Sequence, residues 1–433
     1  MTGWRVTGAL RRAVAVGGLG AALAALLGDP VVLVLTAPFL GYAVLALVHR
    51  PSTTPHVASR LEHTTLHEGQ GTRAVLEVDD LSGVEHVARL GASAPFVATH
   101  PADGRVGGLV PRSGGVGPAE VVETSPRRWG RRTLGHESVA LTSRWAGYRW
   151  GPVVQGGREL TVLPVTAPYD SRAEAPHPVG LVGAHRSRRA GTGTEFADIR
   201  AFHTGDRLRR INWRVSLRTG DLHVVSTRAE EDTGVLLVVD ALADHGRSGG
   251  LDGGASSLDV SVRASAAIAE HAVRRGDRVG LRVVAPSGAL VRPASGQRHL
   301  RRLLGRLAVV RPGPLAAREG ELTFGAVGGS VVVVVSPMLS PEIGTATATL
   351  ARRGVAVLVV DPLPHDVEPA VIEGTDPVVA DLAWRMRLLE RDQVLARLAA
   401  IGCPVVPWRG PGTLDEVLRR LARRAQLPTV RVR

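Results

Sequence analysis

Lysine is absent from this chain of 433 residues, so all 53 residues counted as Lys and Arg are arginine. Without lysine the chain cannot contain a Walker A phosphate loop, the strand lysine of protein kinases or a pyridoxal phosphate Schiff base. Asparagine occurs once, at Asn212, whereas alanine, glycine, valine and arginine are abundant. This bias is typical of a high-GC coding sequence, and the formal net charge of +13 is therefore weak evidence for a nucleic-acid partner.

Aromatic residues and cysteine are also scarce. Aromatic residues make up 3% of the chain, which is too few for base-stacking platforms. Nucleic acid is therefore disfavoured as a partner, and an arginine-rich nucleic-acid-binding protein remains an alternative. The single cysteine, Cys403, can form no internal disulfide and indicates a reducing compartment. Its apolar neighbours favour a buried structural residue over a nucleophile.

Two uncharged apolar runs lie near the N-terminus, at residues 13–27 and 31–48, with a short Gly-Asp-Pro turn between them. A membrane-spanning helix needs about 17 to 25 residues, so the second run is long enough and the first needs extension into residues 6–10. The sequence predicts a transmembrane helical hairpin over residues 1–50. A cleaved signal peptide is the alternative for the first run.

The charges that flank the two runs predict their orientation. Arg5, Arg11 and Arg12 precede or open the first run, and His49 and Arg50 follow the second. The connecting turn contains no basic residue, so the positive-inside rule places both ends of the hairpin in the cytoplasm. The prediction is a multi-pass plasma-membrane protein whose later domains are cytoplasmic and whose hairpin contacts the lipid bilayer.

Residues 51–165 show an alternation of apolar and polar residues with a period near two, as at residues 73–78, 138–143 and 159–164. Clusters of Gly, Pro, Asp and Ser separate these runs, and this pattern predicts a β-sandwich domain. The aromatic segment at residues 144–150 is interpreted as a turn whose rings cap the sandwich.

The periodicity changes in residues 231–433. Continuous apolar runs, including residues 235–239, 331–335 and 355–360, alternate with amphipathic helical patterns. Such an order predicts a mostly parallel sheet with helices on both faces. A hairpin at residues 279–292 is expected to add an antiparallel edge.

Residues 166–230 are predicted to connect the two domains, and their most distinctive part is GTGTEFADIRAFHTGDRLRRINWRVSLR at residues 191–218. Acids, arginines and aromatic rings alternate closely within it. Because an unpaired buried guanidinium is costly, the arginines should reach carboxylates or a partner. The apolar side chains expected to point inward are Phe196, Phe202, Ile211 and Trp213.

The motifs G-x-G-x-E-F, I-R-x-F and G-D-x-x-R-x-I-N-W-R-x-S-x-R in this segment closely resemble the signature of the bacterial domain-of-unknown-function 58 family. The resemblance implies a membrane anchor, an immunoglobulin-like β-sandwich and a von Willebrand factor A-like, Rossmann-like α/β domain. It also implies a MoxR-type AAA ATPase as the partner. Phe202 stands where the family more often has Tyr, and Asn212 where Asp is also common.

The signature supplies the candidate interaction or structural residues, which are Glu195, Phe196, Arg200, Gly205, Asp206, Arg210, Asn212, Trp213, Ser216 and Arg218. We expect Asp206, Arg210, Trp213 and Arg218 to hold the segment against the α/β domain, and Asn212 to bond backbone groups.

The carboxyl ends of parallel strands are the usual place for a ligand in an α/β sheet, which directs attention to Asp240, Ser336 and Asp361. A metal-ion-dependent adhesion site would read D-x-S-x-S after the first strand, since Mg²⁺ prefers hard oxygen ligands. Here Leu242 and Asp244 replace the two serines. Asp240 is therefore a weak Mg²⁺ candidate, and no metal or other cofactor is predicted.

The sequence thus predicts a non-enzymatic, membrane-anchored scaffold or adaptor that presents its α/β domain to a protein partner. A Mg²⁺-dependent adhesion or hydrolytic protein is the first alternative. A hydrolase that uses Ser216 with His203 or His223 and Asp206 can also be drawn, although the spacing alone gives it little support.

Overall fold

The computed structural model describes most of the chain. The described residues are 3–81, 83–91, 94–110, 121–165, 186–203, 208, 211–230, 234–286, 288–314, 322–325, 330–368, 376–409, 412–413, 415–417 and 419–420. For residues 186–197 and 226–230 only the backbone is described.

The chain divides into two compact units. The first comprises Met1–Leu163 together with Gly250–Asp252, and the second comprises Pro164–Gly249 together with Gly253–Arg433.

The first unit begins with strand β1 (Arg5–Val6), helix α1 (Gly8–Leu27) and helix α2 (Pro30–Val48). Both helices are long and apolar enough to cross a membrane by length and composition. Helix α1 begins at Gly8, so it includes part of residues 6–10, the extension that the first apolar run needs to span a membrane. Asp29 accepts a hydrogen bond from the backbone N–H of Val31 and so caps α2.

The two helices pack closely through small residues. A Cβ atom added at Gly20 would lie 2.1 Å from Cγ2 of Thr36, and one added at Gly17 would lie 2.8 Å from a methyl group of Leu40. Glycine is therefore needed at both positions for this approach, as in many pairs of membrane helices.

Eleven strands follow among the described residues of this unit: β2 Val57–Leu61, β3 Thr65–His67, β4 Thr72–Val78, β5 Val84–Gly91, β6 Val97–His100, β7 Arg105–Leu109, β8 Val121–Pro126, β9 Gly130–Leu134, β10 Glu137–Ser143, β11 Tyr148–Gln155 and β12 Arg158–Leu163. They form a five-stranded sheet (β1-β11-β10-β5-β7), a four-stranded sheet (β2-β4-β8-β6) and a three-stranded sheet (β3-β12-β9). Apolar side chains from these sheets form two buried clusters. The predicted β-structure over residues 51–165 is thus present.

A buried ion network also links these sheets. Arg89 contacts Glu137 and donates to the carbonyl of Ala74 at 2.8 Å. Arg158 binds the other oxygen of Glu137 at 3.0 Å. Burial, and secondarily the charge of Arg158, lowers the pKa of Arg89 to about 10. Because the carboxylate faces two guanidinium groups, loss of Glu137 would leave both arginines without their shared counter-charge.

The aromatic turn at residues 144–150 differs partly from its prediction. Trp150 lies in the β-domain core. Tyr148 instead packs with Leu10 and Ala43 of the helical hairpin. Trp145 is 48% exposed, so the expectation that it caps the sandwich was wrong.

The elements of the second unit are β13 Arg186–Ala201, α3 Trp213–Thr219, β14 His223–Glu230, β15 Gly234–Asp240, α4 Ser257–Arg274, β16 Arg278–Val284, β17 Leu290–Ala294, α5 Gln297–Leu307, β18 Val331–Val335, α6 Pro341–Arg352, β19 Val357–Asp361, α7 Pro377–Ala400 and β20 Val405–Pro407. The strand order of the main sheet is β17-β16-β15-β18-β19-β20. Only β17 runs antiparallel in it, as the hairpin predicted.

The apolar strands occupy the centre of this sheet because both of their faces are covered. Every residue of β15 and β18 is buried. Helix α4 buries Val262, Ala266 and Ala269, which lie on one face of the helix at helical spacing. Cys403 is fully buried in the same core, as its apolar neighbours indicated. Strands β13 and β14 form a separate two-stranded sheet.

Candidate functional site

The carboxyl edge of the six-stranded sheet holds the first group of candidates. Asp240 ends β15, and Ser336 follows the last residue of β18. The Ser336 hydroxyl donates to Oδ2 of Asp240 at 2.6 Å, and the backbone N–H of Leu242 donates to Oδ1 at 3.0 Å. The backbone N–H of Met338 donates to the Ser336 hydroxyl at 2.9 Å. Both carboxylate oxygens of Asp240 are therefore engaged within the protein.

The environment of Asp240 disfavours its charged form. The residue is 4% exposed, and burial raises the pKa of its carboxyl group. The hydrogen bonds from Ser336 and Leu242 oppose that shift, and the charge of Glu342 adds to it. The larger effect is desolvation, because a charge in a dry site loses its hydration.

Asp244, which takes the place of the second serine in the adhesion motif, has a structural position. Its carboxylate accepts hydrogen bonds from the Ser256 hydroxyl at 3.0 Å and the backbone N–H of Leu258 at 3.0 Å. Ser256 is itself the N-cap of α4. Asp244 therefore stabilises the start of that helix, where a negative charge also meets the positive end of the helix dipole.

Asp361, at the end of β19, forms an ion pair with Arg391 of α7. Arg391 also donates through Nε to the carbonyl of Pro337 at 2.7 Å, and Arg387 donates to the carbonyl of Leu339 at 3.1 Å. Helix α7 thus brings guanidinium groups to the carboxyl edge, next to the residue that follows Ser336. Positive charge at this edge is supplied by arginine.

His245 lies in the loop after β15, with its ring 5.6 Å from the ring of Trp384 on α7. Burial, and to a smaller extent the charge of Arg387, lowers the pKa of His245 to about 4. The imidazole is therefore neutral at physiological pH, and its contact with Trp384 is an apolar packing contact.

These side chains do not fit a Mg²⁺ ion. Within the part of the chain that the structure describes, no three His, Cys, Asp or Glu side chains converge on one point. Asp240 meets a serine and a backbone amide, Asp244 caps a helix and Asp361 pairs with an arginine. A hard dication such as Mg²⁺ needs several oxygen ligands around it. Here each carboxylate is already bound by donors of the protein.

The signature segment holds the second group of candidates. Gly205, Asp206 and Arg210 lie outside the described residues, so their expected contacts stay predictions. Glu195 and Phe196 lie in β13, where only the backbone is described; the register there opposes Phe196 and Thr227.

The remaining signature side chains from β13 lie at its end. The guanidinium of Arg200 donates to the carbonyl of Ala201 at 3.0 Å. Phe202 is half-buried, and its backbone N–H donates to the carbonyl of Leu222 at 2.8 Å. The bond of Phe202 holds the end of β13 next to Leu222, the residue before β14.

Helix α3 lies at the centre of the described part of the signature. Asn212 is its N-cap, and its side-chain oxygen accepts from the backbone N–H of Val215 at 3.2 Å, so the expected backbone bond of Asn212 is present. Gly220 ends the helix with a φ of 83°, a left-handed conformation that glycine adopts readily. Ile211, just before the helix, is buried and bridges to Val224 of β14.

Ser216 fastens α3 to β14. Its hydroxyl accepts from the backbone N–H of His223 at 2.8 Å and donates to the carbonyl of the same residue at 3.4 Å. The side chain is buried. The Nδ1 atom of His223 lies 2.9 Å from the carbonyl oxygen of Asp221. Ser216 therefore has a structural environment, which gives no support to the hydrolase drawn from the sequence.

Two apolar side chains of α3 point away from the protein. Trp213 is 61% exposed and Leu217 is 83% exposed. They lie four residues apart and therefore on one face of the helix. The inward position expected for Trp213 was wrong, because Ser216 and the cap at Asn212 turn the other face of α3 toward β14. Arg218 is also exposed.

Sequence reasoning missed Leu217, Arg387 and Arg391. Leu217 carries a weak signal, since it completes an apolar pair with Trp213 at helical spacing. The arginines of α7 are separated from their partners by 30 or more positions, as for the Arg391–Asp361 pair. No local pattern predicts such a contact.

The fold defines an α/β unit built on a mostly parallel six-stranded sheet, in a chain that also has a β-rich unit and two apolar helices. Residues 198–377 match the family described as "Protein of unknown function DUF58". The match includes α3 and the carboxyl edge. It confirms the resemblance inferred from the signature.

Two curated relatives are Uncharacterized protein Rv1480 of Mycobacterium tuberculosis (strain H37Rv) and Uncharacterized protein Mb1516 of Mycobacterium bovis. Each is 30% identical over 186 residues, which are 42% of this chain and 51% of the relative. The matched part of the chain thus spans about half the length of either relative.

Two solved structures are also similar. One is an aerotolerance-related membrane protein from Bacteroides fragilis, with 12% identity, a TM-score of 0.26 and coverage of 44% of this chain and 98% of that one. The other is the conserved hypothetical protein BatB from Bacteroides thetaiotaomicron, with 15% identity, a TM-score of 0.29 and coverage of 45% and 100%. TM-scores this low carry no conclusion about function.

Proposed function

We propose that this protein is a membrane-anchored scaffold that uses helix α3 to bind a protein partner, and that the partner is a MoxR-type AAA ATPase. In this proposal the helical hairpin of the first unit spans the plasma membrane, and the rest of that unit and the second unit lie in the cytoplasm. The β-rich part of the first unit is an immunoglobulin-like sandwich, and the second unit is a von Willebrand factor A-like domain without a working metal site.

The exposed pair Trp213 and Leu217 is the observation that carries the proposal. Tryptophan is strongly enriched among residues that dominate binding energy at protein interfaces. When a helix binds in an apolar groove of a partner, apolar side chains on one face of the helix enter the groove, and a tryptophan and a leucine on one face fit this mode. The cap at Asn212 and the Ser216 bonds hold this face in place before binding, which reduces the entropy lost on association.

The carboxyl edge supports a non-enzymatic role. Asp240, Asp244 and Asp361 are each bound by donors of the protein. A catalytic carboxylate or a metal ligand needs an oxygen that can reach a substrate or an ion. The identity of the partner rests on the family resemblance alone.

A photo-crosslinking experiment on the full-length chain in native membranes tests the proposal. A photoreactive amino acid at Leu217 is expected to form a covalent product with a MoxR-type AAA ATPase. The same amino acid at Leu290, an exposed leucine of β17, is the matched control and is expected to give no such product. Equal products from both positions, or none from Leu217, would contradict the assignment of α3.

A further inference from the structure

The first helix of the hairpin is bonded directly to the β-domain at its N-terminal end. Strand β1 pairs antiparallel with β11, which places Val6 opposite Tyr148. The backbone N–H of Thr7 donates to the carbonyl of Gly147 at 3.0 Å, and its hydroxyl donates to the carbonyl of Ala146 at 2.8 Å. Thr7 is also the N-cap of α1. The first turn of this helix is therefore bonded directly to the turn between β10 and β11.

Side-chain packing reinforces this junction. Leu10 of α1, Ala43 and Ala46 of α2, and Tyr148 form a buried cluster. A Cβ atom added at Gly147 would lie 2.7 Å from Cβ of Ala46, so only glycine permits the approach. Both helices thus contact the same β-turn, and the orientation of the turn relative to the hairpin is fixed.

The surface around the junction is strongly basic. Exposed arginines are contributed by β1, α1, the chain after α2, the β-turn and β11: Arg5, Arg11, Arg12, Arg50, Arg144 and Arg149. Arg5 and Arg149 are register partners, so their positions are adjacent. Glu85 also reaches this turn, where its carboxylate accepts a hydrogen bond from the backbone N–H of Trp145 at 2.9 Å. The arginines outnumber this acid, and their charges are left facing outward.

The backbone of the turn places an aromatic ring on the same surface. Trp145 has φ 62° and ψ 14°, and Ala146 has φ 51°. Left-handed conformations are costly for residues other than glycine, and here two occur in succession. Trp145 is half-exposed in this conformation. Tryptophan prefers the boundary between apolar chains and water, where its ring is buried and its N–H remains hydrated.

We infer that this junction surface, formed by the six arginines and Trp145, lies in the headgroup layer and binds anionic lipid headgroups. The inference rests on the membrane anchoring in the proposed function. Thr7 is bonded to the turn, and one turn of helix rises only about 5.4 Å, so a hairpin that spans the bilayer brings the turn to its surface. Guanidinium groups bind phosphate oxygens with paired hydrogen bonds, and tryptophan adds the interfacial contact.

Site-directed spin labelling of the full-length chain in lipid vesicles tests this inference. The natural Cys403 is buried, so labels attach to introduced cysteines. Ala146→Cys reports the turn and keeps Trp145. Val154→Cys lies at an exposed site of β11, about 20 Å from the start of that strand at Tyr148. Leu35→Cys, on an exposed position of α2, reports whether the hairpin is in the bilayer.

Collision rates with oxygen and with a water-soluble nickel chelate give the depth of each label. In vesicles rich in phosphatidylglycerol we expect residue 35 in the hydrocarbon, residue 146 in the headgroup layer and residue 154 in water. The double variant Arg144→Gln and Arg149→Gln should raise the nickel collision rate at residue 146 about twofold or more in these vesicles. It should change that rate little in phosphatidylcholine, where the attraction to anionic lipid is absent.

The outcomes separate the two claims. If residue 35 is in the hydrocarbon while residue 146 is as accessible to nickel as residue 154, the headgroup inference is wrong and the anchor stands. If residue 35 is in water, the anchor fails and the inference fails with it. If the double variant leaves the collision rate at residue 146 unchanged in phosphatidylglycerol, the arginines do not bind the headgroups.

Discussion

Side chains at the carboxyl edge of the six-stranded sheet and on helix α3 have opposite environments. At the edge, Asp240 and Asp361 are buried or half-buried, and protein donors engage both of them. On α3, Trp213 and Leu217 remain in solvent. The acids that could perform chemistry are thus already bound by donors of the protein, whereas the side chains that could contact a partner are exposed.

In the proposed function, an α/β unit with acids at the carboxyl edge of its sheet serves as a scaffold because those acids already have partners within the protein. Arg391 supplies the counter-charge for Asp361 at that edge. The polar groups of α3 are used to hold the helix, through Asn212 and Ser216, and its apolar groups face outward.

The largest effect is expected from Arg391→Met. The ion pair is largely buried, with side chains 10% and 13% exposed, so the variant leaves Asp361 charged and without its partner. We expect a loss of about 3 kcal/mol in the free energy of unfolding. For a domain of this size the melting temperature should fall by roughly 6 to 10 °C, as measured on the full-length chain in detergent.

Arg385→Met on the same helix is the matched control. Arg385 pairs with Asp381 four residues away, and both side chains are well exposed. An exposed pair contributes roughly 0.3 to 0.5 kcal/mol. If both variants lowered the melting temperature equally, Arg391 would not stabilise the carboxyl edge as the comparison requires.

An intermediate effect is expected at the cap of α3. Asn212→Ala removes the acceptor for the backbone N–H of Val215 and should cost about 1 kcal/mol. Asn212→Asp keeps an acceptor at the same place and should retain the stability of the wild type. Hydrogen exchange of the α3 amides measures the difference. Equal protection in the two variants would show that the cap does not hold this helix.

The smallest effect is a change in pH dependence at Asp240. Burial raises the pKa of this acid in the folded protein, so the folded state keeps its proton to higher pH than the unfolded state. The stability that it contributes is present at low pH and is lost as the pH rises above the ordinary value of about 3.9 toward the raised pKa. Asp240→Asn removes this loss, and its melting temperature should rise relative to the wild type between about pH 4 and pH 8.

Asp366→Asn, at an exposed position, is the control. A difference between Asp240→Asn and the wild type that stayed constant over the same range would contradict the role of burial at the edge. If addition of Mg²⁺ raised the melting temperature of the wild type but not that of Asp240→Asn, the Mg²⁺-dependent adhesion protein would be favoured instead.

Much of the fold follows from local sequence patterns. Buried strands such as Val331–Val335 and the apolar face of α4 are predicted by periodicity, because each pattern depends on neighbours in the chain. The antiparallel edge strand β17 follows from its hairpin. The signature also identifies the region that matches the family, at residues 198–377.

The candidate site was less predictable because it depends on contacts between distant residues. The orientation of Trp213 is set by the bonds of Ser216 to His223, which determine the buried face of α3. The ion pair at the carboxyl edge depends on Arg391, which is 30 residues from Asp361 in the sequence. Periodicity gives the spacing of a helix face but not the direction in which that face points.

The affinity of the full-length chain for a purified MoxR-type AAA ATPase measures the proposed role of α3 in partner binding. Trp213→Ser combined with Leu217→Ser should weaken binding at least about tenfold, since exposed anchors of this kind carry much of an interface's energy. The control Leu290→Ser should bind like the wild type. An unchanged dissociation constant for the double variant, with its melting temperature preserved, would contradict the account of α3 as the docking helix.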